Sequence, residues 1–164
     1  MTIGDSFLES VRKRFREGKA LGDKTFAQLS DEDMLKQPNE DSNSIAIIIR
    51  HMQGNMVSRW TNFLTEDGEK NWRNRDDEFE VHQMNKQQLI DLWEEGWKVF
   101  LQTLDSLKEE DLLRTITIRS QPLTVIDAIN RQLGHYSYHV GQIVYLGKWL
   151  KEGEWTSLSI PKKK

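Results

Sequence analysis

The sequence predicts an all-α protein, a four-helix bundle with a small β-hairpin before its last helix. Three observations carry this expectation. Apolar residues recur at helical spacing over four long stretches, only three prolines (Pro38, Pro122 and Pro161) interrupt the chain, and cap signals open several of the stretches. At 164 residues the chain fits one domain, 1–164, long enough to bury a core.

The first stretch carries Phe7, Val11, Phe15, Gly18, Gly22, Thr25 and Leu29 on one face. The two glycines on that stripe either let another backbone approach or leave open volume. Ser30 followed by Asp31, Glu32 and Asp33 reads as the capped start of a short extra turn before Pro38. A second long helix opens at Ser42 or Ser44, runs along Ile45, Ile48, Ile49, Met52, Met56 and Phe63, and ends near Thr65. Residues 66–81 are polar and follow neither period, so an ordered loop is expected.

Asn85 with Gln88 three positions on resembles a capping box. It opens a third long helix whose stripe is Leu89, Trp93, Gly96, Trp97, Phe100, Leu104 and Leu107. Residues 114–119 alternate with period two through Thr-Ile-Thr-Ile, and Ser120-Gln-Pro follows as a turn, which predicts the hairpin. Thr124 with Asp127 caps a last helix to about Leu150. In the tail, residues 151–164, Trp155, Leu158 and Ile160 suggest that the earlier part packs back, and the three final lysines are expected to fray.

Composition narrows the functional classes. Net charge is −3 and the basic residues are spread along the chain, so no basic stripe for nucleic acid is expected. The absence of cysteine excludes disulfides, thiolate ligands and a thiol nucleophile carried by the chain. The longest apolar run, residues 45–49, is too short to span a bilayer, and the N-terminus lacks a signal-peptide pattern. No membrane partner and a cytoplasmic location are the expectations.

The four histidines are the sharpest chemical signal. His135 and His139 lie four apart on the last helix, so both rings leave one face. That spacing suits two imidazoles on one ion at about 2.0–2.1 Å per bond. At about 100° per residue the pair shares a strip with Ala128, Gln132, Gln142 and Leu146, at the border of the apolar face. His51 lies beside the stripe of Ile48, Met52 and Met56, with Asn55 and Arg59 at the next turns on its inner side.

Each residue has a plainer role beside the functional one. The pair, and His51 with it, is either a metal site or a set of hydrogen-bonded histidines at the core margin. Arg59 either holds an anionic group of a substrate or reaches from the core edge to an acidic partner. Trp93 and Trp97 read first as core and second as pocket lining. His82 reads as a surface residue, and residues 73–78 as a solvated or self-paired loop.

Four segments together resemble one family: residues 44–56 (SIAIIIRHMQGNM), 67–76 (DGEKNWRNRD), 132–143 (QLGHYSYHVGQI) and 155–161 (WTSLSIP). They look like the DinB-like, YfiT-type superfamily, and within it a small bacterial subgroup, over nearly the whole chain. The resemblance implies an up-down-down-up four-helix bundle, often a homodimer. It also implies a metal held by one histidine on the second long helix and a His-x-x-x-His pair on the last. Here these are His51, His135 and His139, with no departure from the pattern.

Characterised relatives include thiol S-transferases and a thiol-dependent isomerase that use bacillithiol, mycothiol or glutathione, and others are called metal-dependent hydrolases by analogy. Three functions follow as expectations. The first is a transferase in which zinc or nickel, as a Lewis acid, activates a low-molecular-weight thiol such as bacillithiol; the same ion acting on water would give a hydrolase. Thiol transfer leads because the chain shows no obvious carboxylate base beside the histidines; Asn55, Arg59 and Gln142 are the substrate-binding candidates. The second is a non-enzymatic stress or structural protein in which the ion pins two helices. The third is a helical interaction module without metal.

Overall fold

The computed structural model describes residues 1–161; the final lysines, 162–164, for which fraying was expected, lie outside the described residues. The chain is mostly helical, with α1 Ile3–Phe26, α2 Asp31–Leu35, α3 Ile45–Trp60, α4 Lys86–Ser106 and α5 Val125–Leu150. Strands β1 Thr115–Ile118 and β2 Gln121–Thr124 form an antiparallel hairpin between α4 and α5. Single 3₁₀ turns occupy Asp77–Phe79 and Glu109–Asp111.

The starts of the helices follow from their caps. Ser30 and Asp33 exchange reciprocal hydrogen bonds, as do Asn85 and Gln88, so each pair satisfies backbone donors that a helix start leaves free. Of the two serines considered for α3, Ser44 is the cap, its hydroxyl accepting from the Ile47 amide. Thr124 accepts from the Asp127 amide at the start of α5.

Two boundaries differ from expectation. Helix α3 stops at Trp60, because Thr61 turns extended and Asn62 adopts a positive φ of 51°. The break still lets Phe63 return to the core, where its ring stacks on Trp60 at 4.3 Å. In the hairpin the turn is Arg119–Ser120, with φ of 56° and 60°, and Gln121 and Pro122 belong to β2. Two successive positive φ values match the twist of a two-residue hairpin loop, and the missing N–H of Pro122 is tolerated on an edge strand.

The core forms where α1 lies along α5 and α3 along α4, with α3–α5 and α1–α4 contacts between the pairs. Phe100 of α4 is its hub. Its ring meets Phe15 of α1 at 4.5 Å, Trp60 of α3 at 4.6 Å and Tyr136 of α5 at 5.3 Å, each edge-on, the geometry aromatic quadrupoles favour. Trp93 and Trp97 are both buried in this core. On α1 the two stripe glycines diverge: a side chain at Gly22 would overlap the Trp93 indole, whereas Gly18 faces open space.

Beyond α5 the chain turns back. The Thr156 amide donates to Gln28 Oε1 at 2.8 Å, and the Trp155 ring lies over Gly147. Ile160 is exposed. No helix among the described residues is long and apolar enough to cross a membrane.

Candidate metal centre

Packing α3 against α5 brings His51, His135 and His139 together, with one ring nitrogen of each within 4.8 Å of the others. The Nε2 atoms converge: His135 Nε2 lies 3.3 Å from that of His51 and 3.2 Å from that of His139. Three nitrogens at about 2.0–2.1 Å from one tetrahedral ion lie about 3.3–3.4 Å apart; the two separations from His135 match that spacing, and the three nitrogens together lie within 4.8 Å, close enough for one ion to be shared.

The outward Nδ1 atoms are all engaged. His51 Nδ1 donates to Glu78 Oε2 at 3.0 Å, and His139 Nδ1 donates to Gln142 Oε1 at 2.8 Å. Both acceptors fix the proton on Nδ1 and leave the Nε2 lone pair facing inward, as a ligand requires. His135 sits at the end of a buried relay. Trp60 Nε1–H can only donate, so the Tyr136 hydroxyl accepts it at 3.3 Å and donates to Asn55 Oδ1 at 3.1 Å. Gln132 Nε2 donates to the same oxygen at 3.0 Å and lies 2.9 Å from His135 Nδ1. In this arrangement His135 carries its proton on Nε2; it would hold an ion through Nε2 only in its other tautomer, with an acceptor presented to Nδ1.

Burial, together with the neighbouring imidazoles and arginines, pushes the His135 pKa down to about 3, and burial takes His139 down to about 4. Both rings are therefore neutral at neutral pH, so neither has to give up an imidazolium proton before it can act as a ligand. A stability consequence follows. Each folded-state value lies below the unfolded value of about 6.5, so the unfolded chain binds more protons in between. The stabilisation is complete above about pH 6.5 and is lost as pH falls toward the folded values. Chelator-treated protein is expected to show a lower urea midpoint at pH 5 than at pH 7, with a flatter dependence in His139→Gln; a pH-independent midpoint would contradict this.

Of the two readings of residues 73–78, the self-paired one holds, Arg73 pairing with Glu78, and Glu78 corrects the view of the histidines as lacking a carboxylate neighbour. It is buried, and besides His51 it binds Arg73 through Nε at 2.7 Å and Nη2 at 2.9 Å. Arg50 clamps the same segment from α3, donating to Asp77 Oδ2 at 2.6 Å and to the Glu80 carbonyl at 2.7 Å. Burial alone raises the Glu78 pKa, but the His51 hydrogen bond and the Arg73 guanidinium outweigh it and hold the carboxyl below its ordinary value. The carboxylate approaches α3 over Gly54, where any side chain would collide with it. Glu78 thus stands behind His51, on the Nδ1 side.

In front of His51 and His135 opens a cavity of about 380 Å³ lined by five arginines, namely Arg59, Arg73, Arg75, Arg119 and Arg131. Asn55 and Arg59 follow His51 on one stripe of α3 and line this cavity, while Gln142 lies outside its lining, on the far side of His139. Arg119 is brought there by the hairpin turn, whose Arg119 and Ser120 amides donate to the Asp67 carboxylate at 2.9 and 2.8 Å. His82 is exposed and pairs with Asp77 at 3.1 Å.

The fold and site define a mostly helical protein with a three-histidine group able to bind a metal ion. The chain belongs to the family described as proteins of unknown function, DUF1572, whose model matches residues 2–164. Among solved structures, a conserved protein from Enterococcus faecalis is similar in fold, with a TM-score of 0.67 and 17% identity over 93% of this chain and 99% of that one. A comparison with curated proteins gives no match.

Proposed function

We propose that this protein is a DinB-like, up-down-down-up four-helix bundle acting as a metal-dependent transferase of low-molecular-weight thiols such as bacillithiol. The observation that carries the reading is the convergence of three Nε2 atoms whose rings are braced from behind. Zinc or nickel at that point would supply a Lewis acid that lowers the pKa of a thiol or a water beside it. His51, His135 and His139 hold the ion, and Glu78 and Gln142 orient the outer two rings. The Arg-rich cavity admits the reactants. No Asp or Glu lines it, so a general base for activating water is missing where hydrolysis needs one, which favours thiol transfer over the hydrolase reading.

Protein purified without a histidine tag is expected to convert a thiol and an electrophile to a thioether when loaded with zinc or nickel, and His139→Ala to lose that activity. Full metal occupancy with no turnover of any thiol and electrophile pair would sink the transferase and leave a structural role for the ion. Ester cleavage without thiol would transfer the assignment to hydrolysis.

A cytoplasmic homodimer belongs to the same reading. The dimer is supported by an apolar groove outside α1 and α5, lined by Leu21, Leu133, Val140 and Val144 and bordered by exposed Tyr145. A monomeric mass by light scattering would remove the dimer from it.

A further inference from the structure

We propose that the cavity takes a substrate bearing a compact oxyanion, a carboxylate or a phosphate, bound by Arg59 of α3 together with Arg131 of α5. This rests on reading the cavity as the substrate site, and it does not depend on a metal being held there.

The charges of the five lining arginines are not equivalent. Arg73 is committed to Glu78, and Arg119 reaches Glu69 Oε2 at 3.1 Å. Arg75 lies over the Phe79 ring at 5.1 Å, with Asp76 at 4.0 Å. Among the described residues Arg59 and Arg131 have no acidic partner and no side-chain hydrogen bond. Arg131 is exposed, where water serves it, but Arg59 is only 6% exposed and its Nε and Nη1 are buried without any hydrogen-bond acceptor.

A buried guanidinium in that condition is costly, and arginine is effectively never deprotonated in proteins, so it cannot relieve the cost by losing its charge. Burial, then the nearby Arg131 charge, lowers the Arg59 pKa only to about 10 against the smaller opposing pull of Glu69, so Arg59 stays cationic at neutral pH beside a second guanidinium that repels it. An oxyanion between them supplies the acceptors Arg59 lacks, cancels the repulsion and matches the planar fork of donors. Side chains of a helix lean toward its N-terminus, so Arg59 leans along its stripe toward Asn55 and His51. The anionic group therefore docks beside the histidines, leaving them the reacting end of the molecule. The enclosure of Arg59 selects a compact group over an extended polyanion.

The test uses chelator-treated protein in chloride buffer, titrated calorimetrically with inorganic phosphate and, separately, with succinate. At least one anion is expected to bind and to raise Tm. Arg59→Met should weaken that binding about tenfold or more, and Arg131→Gln should weaken it measurably. Arg14→Gln, on the exposed flank of α1, should leave it unchanged. Arg59→Met should also melt higher than wild type in the same chloride buffer without phosphate or succinate, because it removes a buried unpaired charge; this doubles as proof that the variant folds. Should it fail to fold, exposed Arg131 carries the comparison.

Preference for phosphate indicates a phosphorylated substrate and preference for succinate a carboxylate; either supports the proposal. Absence of binding by both anions, or equal binding by wild type and both variants, would overturn it. Binding seen only after metal loading and lost in His135→Ala would also overturn it, by assigning the anion to the ion. Because the protein is stripped of metal, a failed transferase assay leaves this result unaffected.

Discussion

His135→Ala and His139→Ala are each expected to abolish retention of divalent metal through gel filtration, from about one ion per chain in wild type to a trace. Each removes one of three converging nitrogens, two of which come from adjacent turns of α5. The loss in affinity should exceed the roughly 10–100-fold that an outer-sphere partner is worth, because a first ligand is removed outright. Thermal melts give a second readout. An ion that binds only the folded chain stabilises it by about 2.7 kcal/mol at a hundred times its dissociation constant; that increment should vanish in either variant. The metal-free melts should move less than the metal-loaded ones, and His135→Ala least, since that ring is half-buried whereas His139 is buried. Equal metal content in all three proteins, or an equal metal-induced rise in Tm, would eliminate the centre.

Glu78→Ala should produce the second large effect, in two separable parts. The carboxylate accepts from Arg73, whose side chain is only 2% exposed, and from His51 Nδ1. Its removal leaves the Arg73 guanidinium buried with only Glu69 nearby, at 3.7 Å. Breaking a buried pair in this way costs about 3–5 kcal/mol, which for a chain of this size lowers Tm by roughly 6–20 °C. Metal affinity should fall as well, by about 10–100-fold, because His51 loses the acceptor that fixes its tautomer. Adding Arg73→Met should restore much of the stability, since both partners are then gone, without restoring the affinity. A double variant that recovers affinity along with stability would show that Glu78 acts on the fold alone.

The parts of this molecule that sequence made readable are those governed by local repetition. The stripe of Leu89, Trp93, Trp97, Phe100 and Leu104 is buried as its spacing requires, and the Asn85–Gln88 and Thr124–Asp127 pairs cap helices where they stand. His135 and His139 were visible for the same reason, since a helix fixes the relation of positions four apart. Arg59 was visible as an inward arginine because it continues the stripe of His51 and Asn55.

Glu78 and Arg73 were hidden because their segment has no period. Their inward turn is decided by contacts with α3, through Arg50 and His51, that no neighbour in sequence announces. One trace existed: Gly54, three residues after His51 on an otherwise bulky helix, marks where another group must come close to the backbone. The early end of α3 was concealed likewise, because the apolar period continues to Phe63 across a break made at Asn62.

The histidine cluster also has a topological consequence. His51 and His135 stand 84 positions apart, and the chain has no cysteine with which to tie such distant segments. An ion shared between them would close a loop of that length. In a chain-entropy view, a cross-link of this span withdraws conformations from the unfolded ensemble worth roughly 4–5 kcal/mol at room temperature. The link from His135 to His139 closes a single turn that the helix already holds, and in the same view withdraws less than half as much. The long-range half of the cluster would thus act as a removable staple, opened by chelators or acid and indifferent to the redox state around it.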